Sequence, residues 1–131
     1  MGVAENMATV RRFYAAGPAA DDHDRYPFAS PDIVWHVPGD NRVSGEYRGA
    51  DAVFETMPAR MQPLDRWELD VHEVMGNADL VVATVGIRGT RHGRSVETTG
   101  AHVFRLLDGR IVEAWGFADD QPGLDALLDP A

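Results

Sequence analysis

Ser95-Val96-Glu97-Thr98-Thr99-Gly100-Ala101-His102-Val103-Phe104-Arg105-Leu106-Leu107, then Asp108-Gly109, then Arg110-Ile111-Val112-Glu113-Ala114-Trp115-Gly116-Phe117, is the stretch that decides the fold. Its residues alternate in character with a period of two, the spacing of a strand with two unlike faces. Asp108-Gly109 is a hairpin signal between two such runs. The even positions from Val96 to Leu106 are the more apolar set toward the C-terminal half, and His102 sits among them. A glycine two residues earlier, Gly100, leaves room beside it.

The register of this hairpin has two readings. A two-residue turn sets Trp115 opposite His102, and a three-residue loop with a bulge at Gly109 sets Ala114 there. One residue of slip moves the whole set to the other face. We favour the bulge, because small residues beside His102 leave a cavity. Glu113 and Trp115 then face the opposite side, where a subunit interface could form.

Working outward, Leu80 to Ile87 is a nearly continuous apolar run, expected to be a strand buried on both faces. Trp67, Leu69 and Val71 alternate with Glu68, Asp70 and His72, which predicts another strand. Gly76 to Asp79 and Gly89 to Arg94 read as turns. Ile33 to Val37 is a short strand ending at Pro38-Gly39, and Asp40 to Gly49 reads as a loop. Met7, Val10, Phe13 and Tyr14 follow a helical period up to a stop at Gly17-Pro18. A short helix is expected around Asp22 to Tyr26. A further helix is expected over Ala50 to Met61, ended or kinked near Thr56 by Pro58. Gln121 to Leu128 reads as a last short helix, with Asp120 as its N-cap and Pro122 in its first turn. Helices followed by four antiparallel strands make one α+β domain over residues 1–131. A curved sheet with helices over its mouth forms a cone-shaped pocket.

Composition narrows the chemistry. The 131 residues carry a formal charge of −9, with 12 arginines, no lysine and no cysteine. Disulfides, thiolate nucleophiles, cysteine-based metal sites and Schiff-base chemistry are excluded. The acidic balance argues against nucleic acid. No apolar run approaches the ~18 residues of a membrane helix. Met1 to Tyr14 lacks the layout of a secretory signal, so a cytoplasmic location is expected. No His-x-x-x-His spacing, phosphate loop or dinucleotide glycine motif is present, and neither metal nor cofactor is expected. Histidine, carboxylate, tyrosine and arginine remain as the reactive groups.

His102 is either a core histidine satisfied by one hydrogen bond or a working group in the pocket. His36 is either an edge histidine or a second working group near the rim of the sheet. Tyr14 is either a core tyrosine with its hydroxyl at the surface or a donor into the pocket. His23, His72 and His92 read as surface residues. Asp119-Asp120 is a cap with solvated charge, or a carboxylate that orients a histidine at the pocket mouth.

Val34-Trp35-His36-Val37-Pro38-Gly39, Ser44-Gly45-Glu46-Tyr47-Arg48-Gly49-Ala50-Asp51-Ala52-Val53, Gly93-Arg94-Ser95, Val103-Phe104-Arg105 and Asp108 to Trp115 together resemble the nuclear transport factor two-like superfamily. The resemblance is to its SnoaL-like and ketosteroid-isomerase-related branch, and it covers nearly the whole chain. It implies a cystatin-like α+β barrel, an apolar pocket and a homodimer. Tyr14 falls on the isomerase's helix tyrosine, His36 on its aspartate base and His102 on its protonated aspartate. The aspartate that SnoaL-type cyclases carry on the last strand falls on Gly116.

The resemblance implies an isomerase- or cyclase-like enzyme that moves protons on an apolar carbonyl compound, polyketide- or steroid-like. His36 would be the base, with Tyr14 and His102 donating to the enolate oxygen. Trp35, Phe104 and Phe117 would line the pocket, with Asp120 at its mouth. The alternative is a non-catalytic ligand-binding or dimerising domain of the same fold.

Overall fold

The structure is a computed structural model that describes residues 2–15 and 26–129. The expected Gly17-Pro18 stop, most of the helix around Asp22, and His23 lie outside the described residues. The element order is α1 (Val3–Ala15), β1 (Ala29–Val37), β2 (Gly45–Arg48), a helical segment, β3 (Arg66–Gly76), β4 (Leu80–Arg91), β5 (Arg94–Leu107), β6 (Arg110–Ala118) and α3 (Gln121–Leu128). The strands form one curved six-stranded sheet in the order β2-β1-β6-β5-β4-β3. The fold is α+β, as expected, but the sheet is larger than four strands. β1 joins it parallel to β6, and β2 forms within the segment read as a loop.

The hairpin register differs from both expectations. Asp108 and Gly109 both have positive φ, 52° and 78°, the backbone of a two-residue type I′ turn. Leu107 therefore pairs with Arg110 and Leu106 with Ile111. The register then shifts, and Arg105 pairs with Glu113. The extra residue is Val112, so the bulge lies in the strand rather than at the turn. From there His102 pairs with Gly116, Phe104 with Ala114 and Val103 with Trp115. The small residues do face the His102 side, by a different route.

β4 alternates between buried and half-buried residues, so it is not buried on both faces. Val81, Ala83, Val85 and Ile87 point into the core, while Leu80, Val82 and Thr84 stay partly exposed on the outer face. The core lies between the inner face and the helices. Val10 and Phe13 of α1 pack with Ile33, Phe54, Val81, Phe104 and Ile111. Burying a side chain such as Phe104 contributes about 2–3 kcal/mol.

Residues 52–60 resolve the Pro58 problem. Proline has no N–H for the carbonyl four residues back, Phe54. The chain widens into a π-helical turn over Ala52–Thr56, with the Met57 N–H donating to the Ala52 carbonyl, before one α turn over Met57–Arg60, α2. Α3 closes the other end of the cone. Leu124 packs on Val85 and Ile87. A Cβ at Gly89 would lie 2.9 Å from Leu127, so glycine is what lets α3 seat against β4.

Candidate functional site

His102 lies mid-way along β5 with its side chain on the inner face. Its cross-strand neighbours are Ala83 on β4 and Gly116 on β6, both small. Three aromatic rings surround it. Tyr14 lies parallel, with ring centroids 5.8 Å apart and 6° between planes. Trp35 and Phe104 stand edge-on at 5.9 and 6.1 Å. Phe13 sits beneath, 5.9 Å from Trp35 and 6.0 Å from Phe104. Phe13 and Phe104 are buried, whereas Tyr14, Trp35 and His102 keep some accessible surface. The cluster therefore has an apolar floor and an accessible upper rim.

The Tyr14 hydroxyl is hydrogen-bonded to Nδ1 of His102. The last turn of α1 brings the phenol there, because Val10 and Phe13 fix which helix face meets the sheet. Burial pushes the His102 imidazole down from its ordinary value of 6.5 to about 4. The ring is therefore neutral near pH 7. A neutral imidazole has one nitrogen that donates and one that accepts. With Nδ1 engaged by Tyr14, Nε2 is the atom left for a ligand.

His36 does not join this site. It is the strand neighbour of Trp35, and successive strand residues point to opposite faces. Trp35 pairs with Ala114 on the inside, and His36 pairs with Trp115 on the outside. The His36 ring stacks on Trp115 at 5.4 Å, with 9° between planes. Its Nε2–H donates to Glu113 Oε2 at 2.7 Å, and Nδ1 lies 3.8 Å from Glu46 Oε1. Arg105 lies over the other ring system of this group, 5.8 Å from the Trp115 centroid. The expectation that His36 is the base beside His102 is thus corrected by strand parity.

Phe117 is corrected for the same reason. It shares the parity of Trp115 and is 55% exposed. With Leu80, Val103, Arg105 and Trp115 it lines an outer-face hollow of about 230 Å³. Asp120 is the N-cap of α3, its Oδ1 accepting from the Gly123 N–H at 3.0 Å, while its own N–H donates to Thr98 Oγ1. It faces an outer hollow of about 420 Å³ with Asp70, His72, Arg88 and Glu97, away from His102. Of the expected site residues, the fold brings together Tyr14, Trp35, His102 and Phe104. Phe13 was missed: the helical spacing marked it as apolar but not as the floor of this cluster.

Residues 10–114 match the family described as the SnoaL-like domain. The chain belongs to that family. An uncharacterised protein of Mycobacterium tuberculosis is 27% identical over 124 residues, covering 93% of this chain and 95% of the relative. A protein of unknown function with a cystatin-like fold from Xanthomonas campestris is 26% identical, with a TM-score of 0.86 over 94% of this chain and 97% of that one. TerC, crystallised with polyporic acid, is 19% identical, with a TM-score of 0.84 over 95% of this chain and 98% of that one. The SnoaL-like fold and its kinship to the wider cystatin-like architecture are therefore established here. Among the described residues, no helix is long and apolar enough to cross a membrane, and no group of three potential metal ligands is present.

Proposed function

We propose that the Tyr14–His102 pair binds an apolar carbonyl compound through its oxygen and, by donating to that oxygen, favours its enol or enolate form. A phenol is the better donor and an imidazole nitrogen the better acceptor, so Tyr14 O–H donates to Nδ1 and the ring proton sits on Nε2. Nε2–H then donates to the ligand oxygen. A neutral imidazole is an established type of electrophile for a carbonyl. As negative charge builds on that oxygen, the bond from Nε2 strengthens, and the bond from Tyr14 strengthens with it. Tyr14 therefore acts through His102, in series, rather than beside it. Trp35 and Phe104 supply flat apolar walls.

The observation that carries this reading is the single engaged nitrogen of His102. Nδ1 is bonded to Tyr14, and among the described residues no group pairs with Nε2. The polyporic acid complex of TerC, a protein of the same fold, supports a small organic occupant. The test is turnover on a panel of β,γ-enones and polyketide aldols, with Tyr14→Phe, His102→Ala and His36→Ala. On a substrate used by the wild type, the first two variants lose at least tenfold in kcat/KM and the third keeps its rate. Full turnover by His102→Ala contradicts the assignment.

One observation favours a binding role instead of catalysis. His36, the expected base, lies on the other face of the sheet, and among the described residues no carboxylate is hydrogen-bonded to His102. A ligand that is bound through His102 but released unchanged supports that second reading. For assembly, we propose a homodimer through the outer face, where exposed Phe117 adjoins Trp115, Arg105 and Glu113. Sedimentation of wild type and Phe117→Glu tests it, the variant shifting toward monomer.

A further inference from the structure

We propose that two copies of this chain meet outer face to outer face with β5 reversed against its own copy, so that Arg105 of each reaches the partner's Glu97. The two-fold axis runs across the strands at Ala101. The inference rests on the outer-face dimer given above. It names the register of that dimer and the charges that select a second copy as the partner.

The first observation is an arrangement along β5. His102 and Phe104 face inward, so the residues of the other parity face outward. From 97 to 105 these are Glu97, Thr99, Ala101, Val103 and Arg105. A two-fold axis across the strands pairs positions that are equidistant from its crossing point. Ala101 is the smallest of the five, and opposite charges stand four residues to either side of it. At about 3.4 Å per residue, each ion pair lies roughly 14 Å from the axis. Stacked sheets are about 10 Å apart, a gap that an arginine and a glutamate reaching from opposite sides close.

The neighbouring strands agree with that axis. Thr84 on β4 and Phe117 on β6 are the cross-strand partners of Ala101. Phe117, 55% exposed, is therefore laid beside the partner's Phe117. The two outer hollows lie on either side of this row. Arg105 lines the apolar one and Glu97 the acidic one, so the axis sets the apolar hollow of each copy over the acidic hollow of the other.

The charges at both ends are under-used within one chain. Arg105 makes no hydrogen bond among the described residues. Its contact to Glu113 is long, 3.8 Å, and Glu113 already accepts from His36 at 2.7 Å. The guanidinium lies over Trp115, at the edge of the apolar hollow. In the acidic hollow one arginine, Arg88, is shared between Glu68 and Glu97, beside Asp70, Asp119 and Asp120. The Glu97 side chain remains 73% exposed. Two chains of net charge −9 repel, so a face that joins them has to set cations against acids. Arginine suits this, because its guanidinium is weakly hydrated and matches a carboxylate with a planar fork.

The test is sedimentation equilibrium of the full chain, with Arg105→Glu, Glu97→Arg, the two together, and an equimolar mixture of the two single variants. The wild type sediments as a dimer. Each single reversal sets like charges together at both ends of the interface and weakens self-association by about tenfold or more. The double variant regains the dimer. So does the mixture, because one copy then carries glutamate at both positions and the other arginine at both. Neither a folding defect nor a contact within one chain produces that recovery. If Phe117→Glu is monomeric but the single reversals dimerise like the wild type, or the mixture recovers nothing, the register is overturned while the outer-face dimer survives. Rescue of Arg105→Glu by Glu113→Arg instead of Glu97→Arg also overturns it, since that pairing belongs to an axis along the strands. A monomeric wild type, or a Phe117→Glu variant that stays dimeric, gives the face to another occupant and overturns both.

Discussion

His36 and His102 lie on opposite faces of one sheet, each a strand away from β6, where they meet the adjacent residues Trp115 and Gly116. That one-residue offset on β6 separates two environments. The inner one is aromatic and holds a neutral imidazole. The outer one is charged, with Glu46, Glu113 and Arg105 around the stacked His36–Trp115 pair. We therefore expect His36→Ala to leave the His102 ring resonances unchanged. It should alter Trp115 fluorescence, because the imidazole stacked on the indole is removed. The stability loss should be about 1 kcal/mol or less, as for other half-exposed ion pairs. Chemical denaturation checks the magnitude.

Stability should depend on pH through His102. Its folded value, about 4, lies below the unfolded value of 6.5. Between these the unfolded chain binds more protons, so stability rises with pH across this window. The contribution is fully present above about pH 6.5 and is lost as pH falls toward 4, amounting to about 3 kcal/mol in all. Denaturant midpoints of wild type and His102→Gln between pH 4 and 7 check this. The variant's curve should be flatter by that amount.

Removing the phenol hydroxyl with Tyr14→Phe leaves Nδ1 without its partner in an apolar setting. The expected cost is about 1–3 kcal/mol, the desolvation cost of an unsatisfied polar group. Phe104→Ala should cost more, about 3–5 kcal/mol, because it opens a cavity in the floor of the cluster. Thermal and urea unfolding of the two variants should rank them in that order.

Asp120 acts as a helix cap. Asp120→Ala should destabilise the chain by about 1 kcal/mol, and Asp120→Asn by much less, since the amide oxygen still accepts from Gly123. Neither should change binding of any ligand that shifts His102. Amide exchange across α3 would localise the effect.

Much of this was legible in the chain. The alternation in β5 placed His102 and Phe104 on one face, and the helical period placed Phe13 and Tyr14 on α1. Asp120 with Pro122 marked the start of α3. Parity was equally legible and decides against two expectations. Trp35 and His36 are neighbours on a strand and cannot share a face, and Phe117 must follow Trp115 outward once Gly116 turns inward. The register was not legible. Asp108-Gly109 specified the turn, but nothing in Ile111-Val112-Glu113 announces that Val112 bulges, since bulges answer to sheet curvature. The parallel pairing of β1 with β6 is a long-range contact with no local signal. Pro58 announced a break in the helix, though not that a π turn would absorb it.

The account turns on a neutral His102 held by Tyr14. The most direct measurement is a ¹⁵N titration of the histidine rings in the wild type and in Tyr14→Phe, with His102 assigned by His102→Gln. The account predicts that His102 stays neutral down to about pH 4 to 5, with the proton on Nε2, and that Tyr14→Phe changes the Nδ1 shift. A His102 ring that titrates near 6.5, or whose Nδ1 shift ignores the loss of the Tyr14 hydroxyl, would contradict it.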